Sequence, residues 1–158
     1  LRWLSTLDLS SNFITYLNES LFSRTFSLRY LNISGNKIEY FSKLIFKQLK
    51  NLITLDFSNN FLKIIEDYSF ENLISLRNLY LNLNYDLNIY NKTFNGLISI
   101  HNIYISKINP LFNRTDILSI LSSSLNPAII RNINQIRFYN SIFLIYAPNI
   151  LVETITLD

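Results

Sequence analysis

The sequence predicts a solenoid in which short parallel strands stack one above another around a shared apolar interior. The first observation behind this prediction is an apolar pattern that recurs every 24 residues. Four copies open at Leu4, Leu28, Leu52 and Leu76 and close at Asn12, Asn36, Asn60 and Asn84. The second observation is that one copy has too few apolar side chains to offset the entropy of ordering its backbone. Such copies are therefore stable only as a stacked array.

Each copy contains one predicted strand. The apolar strand positions are Leu7 and Leu9, Leu31 and Ile33, Leu55 and Phe57, Leu79 and Leu81, and Ile103 and Ile105. Alternation of apolar and polar residues at period two indicates a short strand with one buried face. A phenylalanine follows each asparagine ten residues later, at Phe22, Phe46, Phe70 and Phe94. We expect these phenylalanines to face the same interior.

The asparagine that closes each copy has a predicted structural role. At the end of a strand the chain turns inward, and its next amide and carbonyl groups lose their ladder partners. A short amide side chain carries both N–H donors and an acceptor, so it can satisfy them. We therefore predict an asparagine ladder in which each member bridges the loop backbone of adjacent turns, formed by Asn12, Asn36, Asn60 and Asn84.

These motifs resemble the leucine-rich repeat family. Residues 4–14 read Leu-x-x-Leu-x-Leu-x-x-Asn-x-Ile, and the pattern extends over about residues 1–108. The 24-residue length is similar to that of the typical class in animal extracellular proteins such as Toll-like receptors. The resemblance implies an α/β solenoid, a curved right-handed coil with a parallel β-sheet on its concave face. The convex side is expected to consist of irregular or short helical segments.

We expect one solenoid domain in three parts. Regular repeats occupy residues 1–110, although Asp86 replaces an apolar residue of the pattern. An irregular repeat follows at 111–132, with an insertion of about nine residues within 122–132. Residues 133–158 form a resumed, truncated repeat, in which either 143–157 follow the outer columns or 156–158 align with 6–8. Because the chain contains no Met and starts and stops in mid-pattern, we expect it to be a fragment of a longer protein.

The composition excludes several kinds of chemistry within these residues. There is no cysteine for disulfides or thiolate ligands, and two glycines cannot form a Gly-rich phosphate loop. The lone His101 has no cysteine or carboxylate neighbour, so a surface residue is favoured over a metal ligand or general base. We therefore expect no catalytic residue, cofactor or metal, and no enzyme activity. The net charge of +3 is spread along the chain, so no nucleic-acid partner is expected.

The concave face of the sheet is the predicted binding surface. Residues beside the buried strand positions project outward, and equivalent positions of neighbouring strands lie about 4.8 Å apart. Tyr80 and Tyr104 are expected to be direct cross-strand neighbours, and tyrosine is favoured at binding hot spots. The candidate binding residues are Tyr30, Asn32, Asp56, Asn78, Tyr80, Asn82, Asn102 and Tyr104.

The expected partner is a protein or another macromolecular ligand. The resemblance implies an extracellular receptor or adhesion ectodomain, with any membrane anchor outside these residues. The alternative is a cytosolic regulatory or scaffold segment attached to an enzyme or signalling domain elsewhere in the parent protein. Sequons of the form Asn-x-Ser/Thr occur at Asn18, Asn32, Asn91 and Asn113. Asn18, Asn91 and Asn113 are the possible glycosylation sites, whereas a glycan at Asn32 would obstruct the sheet face.

Overall fold

A computed structural model describes residues 2–106, 119–120, 123, 125, 135–139, 143–146 and 151–154. Within these residues the chain forms one eight-stranded sheet whose strands follow one another in chain order. The strands are β1 (Thr6–Asp8), β2 (Tyr30–Asn32), β3 (Thr54–Asp56), β4 (Asn78–Leu81), β5 (Asn102–Ser106), β6 (Gln135–Tyr139), β7 (Phe143–Tyr146) and β8 (Leu151–Thr154). One 3-10 helix, Lys43–Phe46, lies in the second turn, where the Ser42 hydroxyl caps it by accepting from the amide of Leu44.

Strands β1 to β6 are parallel, and the register between β1 and β5 advances by 24 residues from one strand to the next. Leu7 pairs with Leu31, and Leu79 pairs with Ile103. The stacked turns form a solenoid, which confirms the predicted fold class. Ile103 pairs with Ile136, 33 residues further on, so the chain between β5 and β6 is nine residues longer than the period. Most of that segment lies outside the described residues, and the domain boundaries stay predictions.

The end of the sheet differs from the register in which residues 143–157 follow the outer columns, and the alternative alignment of 156–158 falls outside the described residues. That register placed residues 143–154 in outer segments, but the structure assigns them to β7 and β8. Strand β7 is antiparallel to β6, with Ile136 opposite Ile145, and β8 is antiparallel to β7. The cause is chain length, because only a few residues separate these strands and a parallel return needs a crossover of a dozen or more.

Side chains from every turn fill the interior. Phe22, Phe46, Phe70 and Phe94 are each at most 1% exposed. The rings of Phe46 and Phe70 are stacked with centroids 6.1 Å apart, and those of Phe70 and Phe94 are 6.3 Å apart. In the fourth turn, exposed Asp86 leaves the apolar column and Leu87 is fully buried instead. The loosened pattern thus reflects a shift of one residue, not the loss of a core position.

Three members of the asparagine ladder each join two turns of the solenoid. The Asn36 amide nitrogen donates to the carbonyls of Leu9 and Ile33, both at 2.9 Å, and its oxygen accepts from the Ile14 amide. Asn60 and Asn84 repeat this arrangement one and two turns later. Asn12, on the first turn, is exposed, and within the described residues its side chain bonds only to carbonyls of its own turn.

The residue before each ladder asparagine has a left-handed backbone. The φ angles are +54° at Ser11, +65° at Gly35, +51° at Asn59 and +61° at Leu83. This conformation turns the chain inward so that the asparagine side chain reaches the loop backbone. It favours glycine or asparagine and is costly for leucine, so the fourth turn contains a strained residue.

On the convex side, Gly96 has φ +91°, and a Cβ atom there would lie 2.3 Å from Glu71 Cα of the preceding turn. Glycine is therefore required for the two turns to approach this closely.

No helix within the described residues is long and apolar enough to span a membrane.

Candidate binding face

The central feature of the concave face is a pair of stacked tyrosines. Tyr80 on β4 and Tyr104 on β5 are direct partners in the parallel register. Their rings are 4.4 Å apart between centroids and inclined by only 2°. The ring separation is close to the spacing of neighbouring strands, about 4.8 Å, so both rings extend from the sheet in the same direction. Both side chains are half-buried, and together they give a rigid surface of aromatic rings and hydroxyl groups.

A row of polar side chains lies beside these rings. The Asn102 amide donates to the Asn78 side-chain oxygen at 2.7 Å, and the Asn78 amide donates to the Thr54 hydroxyl at 3.3 Å. The row crosses three strands and limits the rotamers of its members. We call Asn78, Asn102, Tyr80 and Tyr104 the tyrosine platform. Since the rings are stacked and the amides are bonded, a partner meets side chains that need little further ordering.

The two stacked tyrosines belong to the central column of the sheet, the outward position between the two buried residues of each strand. This column has a different structure on the first three strands. The Asn32 side-chain oxygen accepts from the Ser34 amide at 3.0 Å and from the Ser34 hydroxyl at 2.7 Å. Asp56 accepts from Ser58 in the same way, at 2.9 and 2.6 Å. These side chains are thereby bound to the end of their own strand, forming local turns of the Asx type.

Asp8 occupies this column on the first strand and accepts from the Ser10 amide at 2.8 Å. Its pKa is lowered, first by the hydrogen bond with the Ser10 side chain and then by that with the Ser10 amide. Hydrogen bonds to an ionised carboxylate stabilise the charged form, so the first strand presents a negative charge to solvent.

Two further candidates lie outside these groups. Tyr30 is 47% exposed on β2, in the column that also contains Thr54 and Asn78. Asn82 is half-buried just beyond β4, and its side-chain oxygen has no hydrogen-bond partner in the described part of the chain. The register also continues the central column from Tyr104 to Arg137 on β6, which the sequence reasoning did not include among the binding residues. The alternation of apolar and polar residues indicates this position too, because Arg137 lies between the apolar residues Ile136 and Phe138.

The sequons differ in accessibility. Asn18 and Asn91 are both exposed. The Asn18 side-chain oxygen accepts from the Ser20 amide and hydroxyl, at 2.9 and 2.7 Å. Thr93 of the second sequon is fully buried, and its hydroxyl accepts from the Tyr90 amide. Asn113 lies outside the described residues, and glycosylation at all three stays a prediction.

Comparison with known proteins identifies the family. A family profile described as "Leucine rich repeat" matches residues 2–52 and 41–85, which together are more than half of the chain. The chain belongs to the leucine-rich repeat family. No curated protein matches it in sequence.

Solved leucine-rich repeat structures share the fold. The leucine-rich repeat domain of APL1B is 27% identical with a TM-score of 0.56, over 61% of this chain and 28% of that one. A chain of the Drosophila Toll–Spatzle complex in its glycosylated form is 21% identical with a TM-score of 0.68, over 93% and 20%. Human 5T4, also called trophoblast glycoprotein, is 19% identical with a TM-score of 0.63, over 90% and 52%. The chain thus spans between a fifth and about half of the length of these relatives.

Proposed function

We propose that this leucine-rich repeat chain binds a protein partner through its concave face, with the tyrosine platform at the centre of the contact. The observation that carries the proposal is the stacked pair of Tyr80 and Tyr104, with rings inclined by 2°. Tyrosine supplies large contact area with only two rotatable side-chain bonds, and stacking restricts these bonds before a partner arrives. The leucine-rich repeat fold supports protein recognition in general, and the concave location is the specific part of this proposal.

We further propose an extracellular setting, as part of a receptor or adhesion ectodomain. Two of the similar structures are described as glycosylated proteins. The exposed asparagines of two sequons, Asn18 and Asn91, lie outside the strands that contain the tyrosine platform, so glycans there leave the concave face accessible. Secretion of the chain from eukaryotic cells, followed by glycosidase treatment and mass spectrometry, tests this setting. Recovery of both asparagines unmodified would contradict it.

The test of concave binding compares two matched variants. The chain is screened against an array of secreted and cell-surface proteins, and the affinity of each binder is measured for the wild type and the variants. Tyr80→Ala with Tyr104→Ala removes both stacked rings, whereas Tyr16→Ala with Tyr90→Ala removes two exposed tyrosines from outer segments. We expect the first pair to weaken binding at least about tenfold and the second to change it less than about twofold.

Circular dichroism and thermal unfolding verify that both double variants remain folded. A binder whose affinity is equally insensitive to both pairs would contradict concave recognition through the tyrosine platform. Equal losses for both pairs would show a general effect of lost tyrosines and would contradict it as well.

A further inference from the structure

A second surface lies along the edge of the sheet where the strands begin. Each turn contributes the residue directly before its strand, which gives a pre-strand column of Arg29, Ile53, Arg77 and His101. The facing wall consists of the residues two positions earlier, Asn51, Ser75 and Ser99. Together they line a groove of about 340 Å³ that contains no residue of the tyrosine platform. The same 24-residue period that revealed the strands reveals this column.

Backbone hydrogen bonds join successive members of the pre-strand column. The Arg29 carbonyl accepts from the amides of Ile53 and Thr54, at 2.8 and 3.0 Å. The Arg77 carbonyl accepts in the same way from His101 and Asn102, both at 2.9 Å. The backbone therefore holds these positions at the spacing of the strands, about 4.8 Å. Recognition by this groove depends on its side chains.

The two arginines differ from three of the lysines in the described part of the chain. Lys63 pairs with Glu39 at 2.6 Å, Lys37 lies over the Phe13 ring, and Lys92 lies over the Tyr68 ring. The guanidinium groups of Arg29 and Arg77, in contrast, form no ion pair or hydrogen bond within the residues that the structure describes. No Asp or Glu lines the groove. The groove therefore presents two uncompensated positive charges.

Internal hydrogen bonds hold the facing wall in place. The Asn51 amide donates to the Phe26 carbonyl at 2.8 Å, and the Ser99 hydroxyl donates to the Ile74 carbonyl at 2.7 Å. His101 Nδ1 lies 2.7 Å from the Ser99 carbonyl, and because a carbonyl only accepts, Nδ1 carries the proton. Its Nε2 is the ring nitrogen left for a ligand.

We propose that this groove binds an acidic peptide segment of a protein partner, with two carboxylates about 10 Å apart and an apolar side chain between them. Arg29 and Arg77 are two strands apart, which gives that spacing. Half-buried Ile53 lies between them and favours an apolar group there over the continuous charge of a sulfated polymer. Arginine binds carboxylates through two parallel hydrogen bonds. The proposal concerns a different surface from the concave face and does not rest on it.

The probe is a fluorescein-labelled peptide of sequence Gly-Glu-Leu-Pro-Glu-Gly with blocked ends. In a polyproline II helix its two glutamates lie on one face, about 9 Å apart. Binding to the chain is measured by fluorescence anisotropy at low and physiological salt. We expect Arg29→Gln with Arg77→Gln to weaken binding at least about tenfold, and replacement of both peptide glutamates by glutamine to do the same.

The matched control is Lys43→Gln with Lys47→Gln, which removes the same charge from an exposed helical segment of the convex side. We expect it to change affinity less than about twofold. Ile53→Ser should weaken binding of the leucine peptide but not of a peptide with alanine in its place.

Three results would overturn the proposal. These are no binding of the peptide by the wild type at millimolar concentration, equal losses for the lysine and arginine pairs, and a heparin fragment that binds more tightly than the peptide through the same arginines. The last result would show a sulfated-polymer site. If the arginine variant loses peptide binding but keeps its affinity for a protein bound at the concave face, the groove and the concave face are independent sites.

Discussion

The two halves of the concave face use one column of the repeat for different purposes. On β1 to β3 the column contains Asp8, Asn32 and Asp56, and the two internal members each accept two hydrogen bonds from a serine of their own strand end. On β4 and β5 it contains Tyr80 and Tyr104, which stack on each other. In the first half the side chains of this column thus bond to their own strand ends, whereas in the second half they form a surface of stacked rings. Equal position in a repeat does not imply equal function.

The largest expected effect concerns the asparagine ladder, which both halves share. Asn60→Ala and Asn84→Ala each remove a buried side-chain amide that joins two turns. Each change leaves one buried backbone amide unpaired, that of Ile38 or Leu62, and takes one hydrogen bond from each of at least two carbonyls. We expect each to lower the free energy of unfolding by about 2–4 kcal/mol. Urea denaturation measures this change. The control is Asn12→Ala at an exposed position, which we expect to lower the free energy of unfolding by less than about 1 kcal/mol. Clearly unequal costs at Asn60 and Asn84 would show that the halves differ in their framework as well as in their surface.

The second prediction concerns the coupling between the stacked tyrosines. A double-mutant cycle of Tyr80→Ala and Tyr104→Ala should give an interaction energy of about 0.5–1.5 kcal/mol in stability, because the rings contact each other directly. The same cycle with Asp56→Ala and Tyr80→Ala should give a smaller value, since Asp56 bonds to Ser58. A coupling near zero for the tyrosine pair would contradict the rigid platform.

A smaller effect is expected from the backbone strain at Leu83, beside the tyrosine platform. Leu83→Asn replaces a residue that disfavours φ +61° with one that tolerates it, and should stabilise the chain by about 0.5–1 kcal/mol. The converse change in the first half, Gly35→Ala, should destabilise it by about 1 kcal/mol. Thermal unfolding of both variants provides the measurement. Destabilisation by Leu83→Asn would show that packing of the leucine outweighs its strain.

The smallest expected effect is a pH dependence that belongs to the first half. Because hydrogen bonds lower the pKa of Asp8 in the folded state, its contribution to stability is present above its ordinary pKa. That contribution is lost as pH falls from about 4 through the lowered value. Urea denaturation between pH 2 and 6 should show a slightly steeper acid loss for the wild type than for Asp8→Asn. Parallel curves would indicate that the hydrogen bonds to Asp8 do not persist in solution.

The repeat period was sufficient to predict the strands, their parallel register and the core. Burial of Phe22, Phe46, Phe70 and Phe94 follows from their column alone, since each repeat meets the same neighbours. The period failed where residues depart from it. It predicted an apolar core residue at the position of exposed Asp86, whereas the buried residue of that turn is Leu87. It also placed residues 143–154 in outer segments, whereas they form antiparallel strands.

By itself, then, the sequence determined the family, the stacking of turns and which face of each strand is buried, because these depend on a pattern that repeats along the chain. Only the tertiary structure decided which outward residues are bound to their own strand and which remain as a surface. It also revealed the groove of Arg29 and Arg77, whose basic character depends on the absence of carboxylates from its lining. The physical reason is the same in both cases. The neighbours that make each surface come from other turns: Tyr104 stacks on Tyr80, Asn102 bonds to Asn78, and the two arginines of the groove are two strands apart.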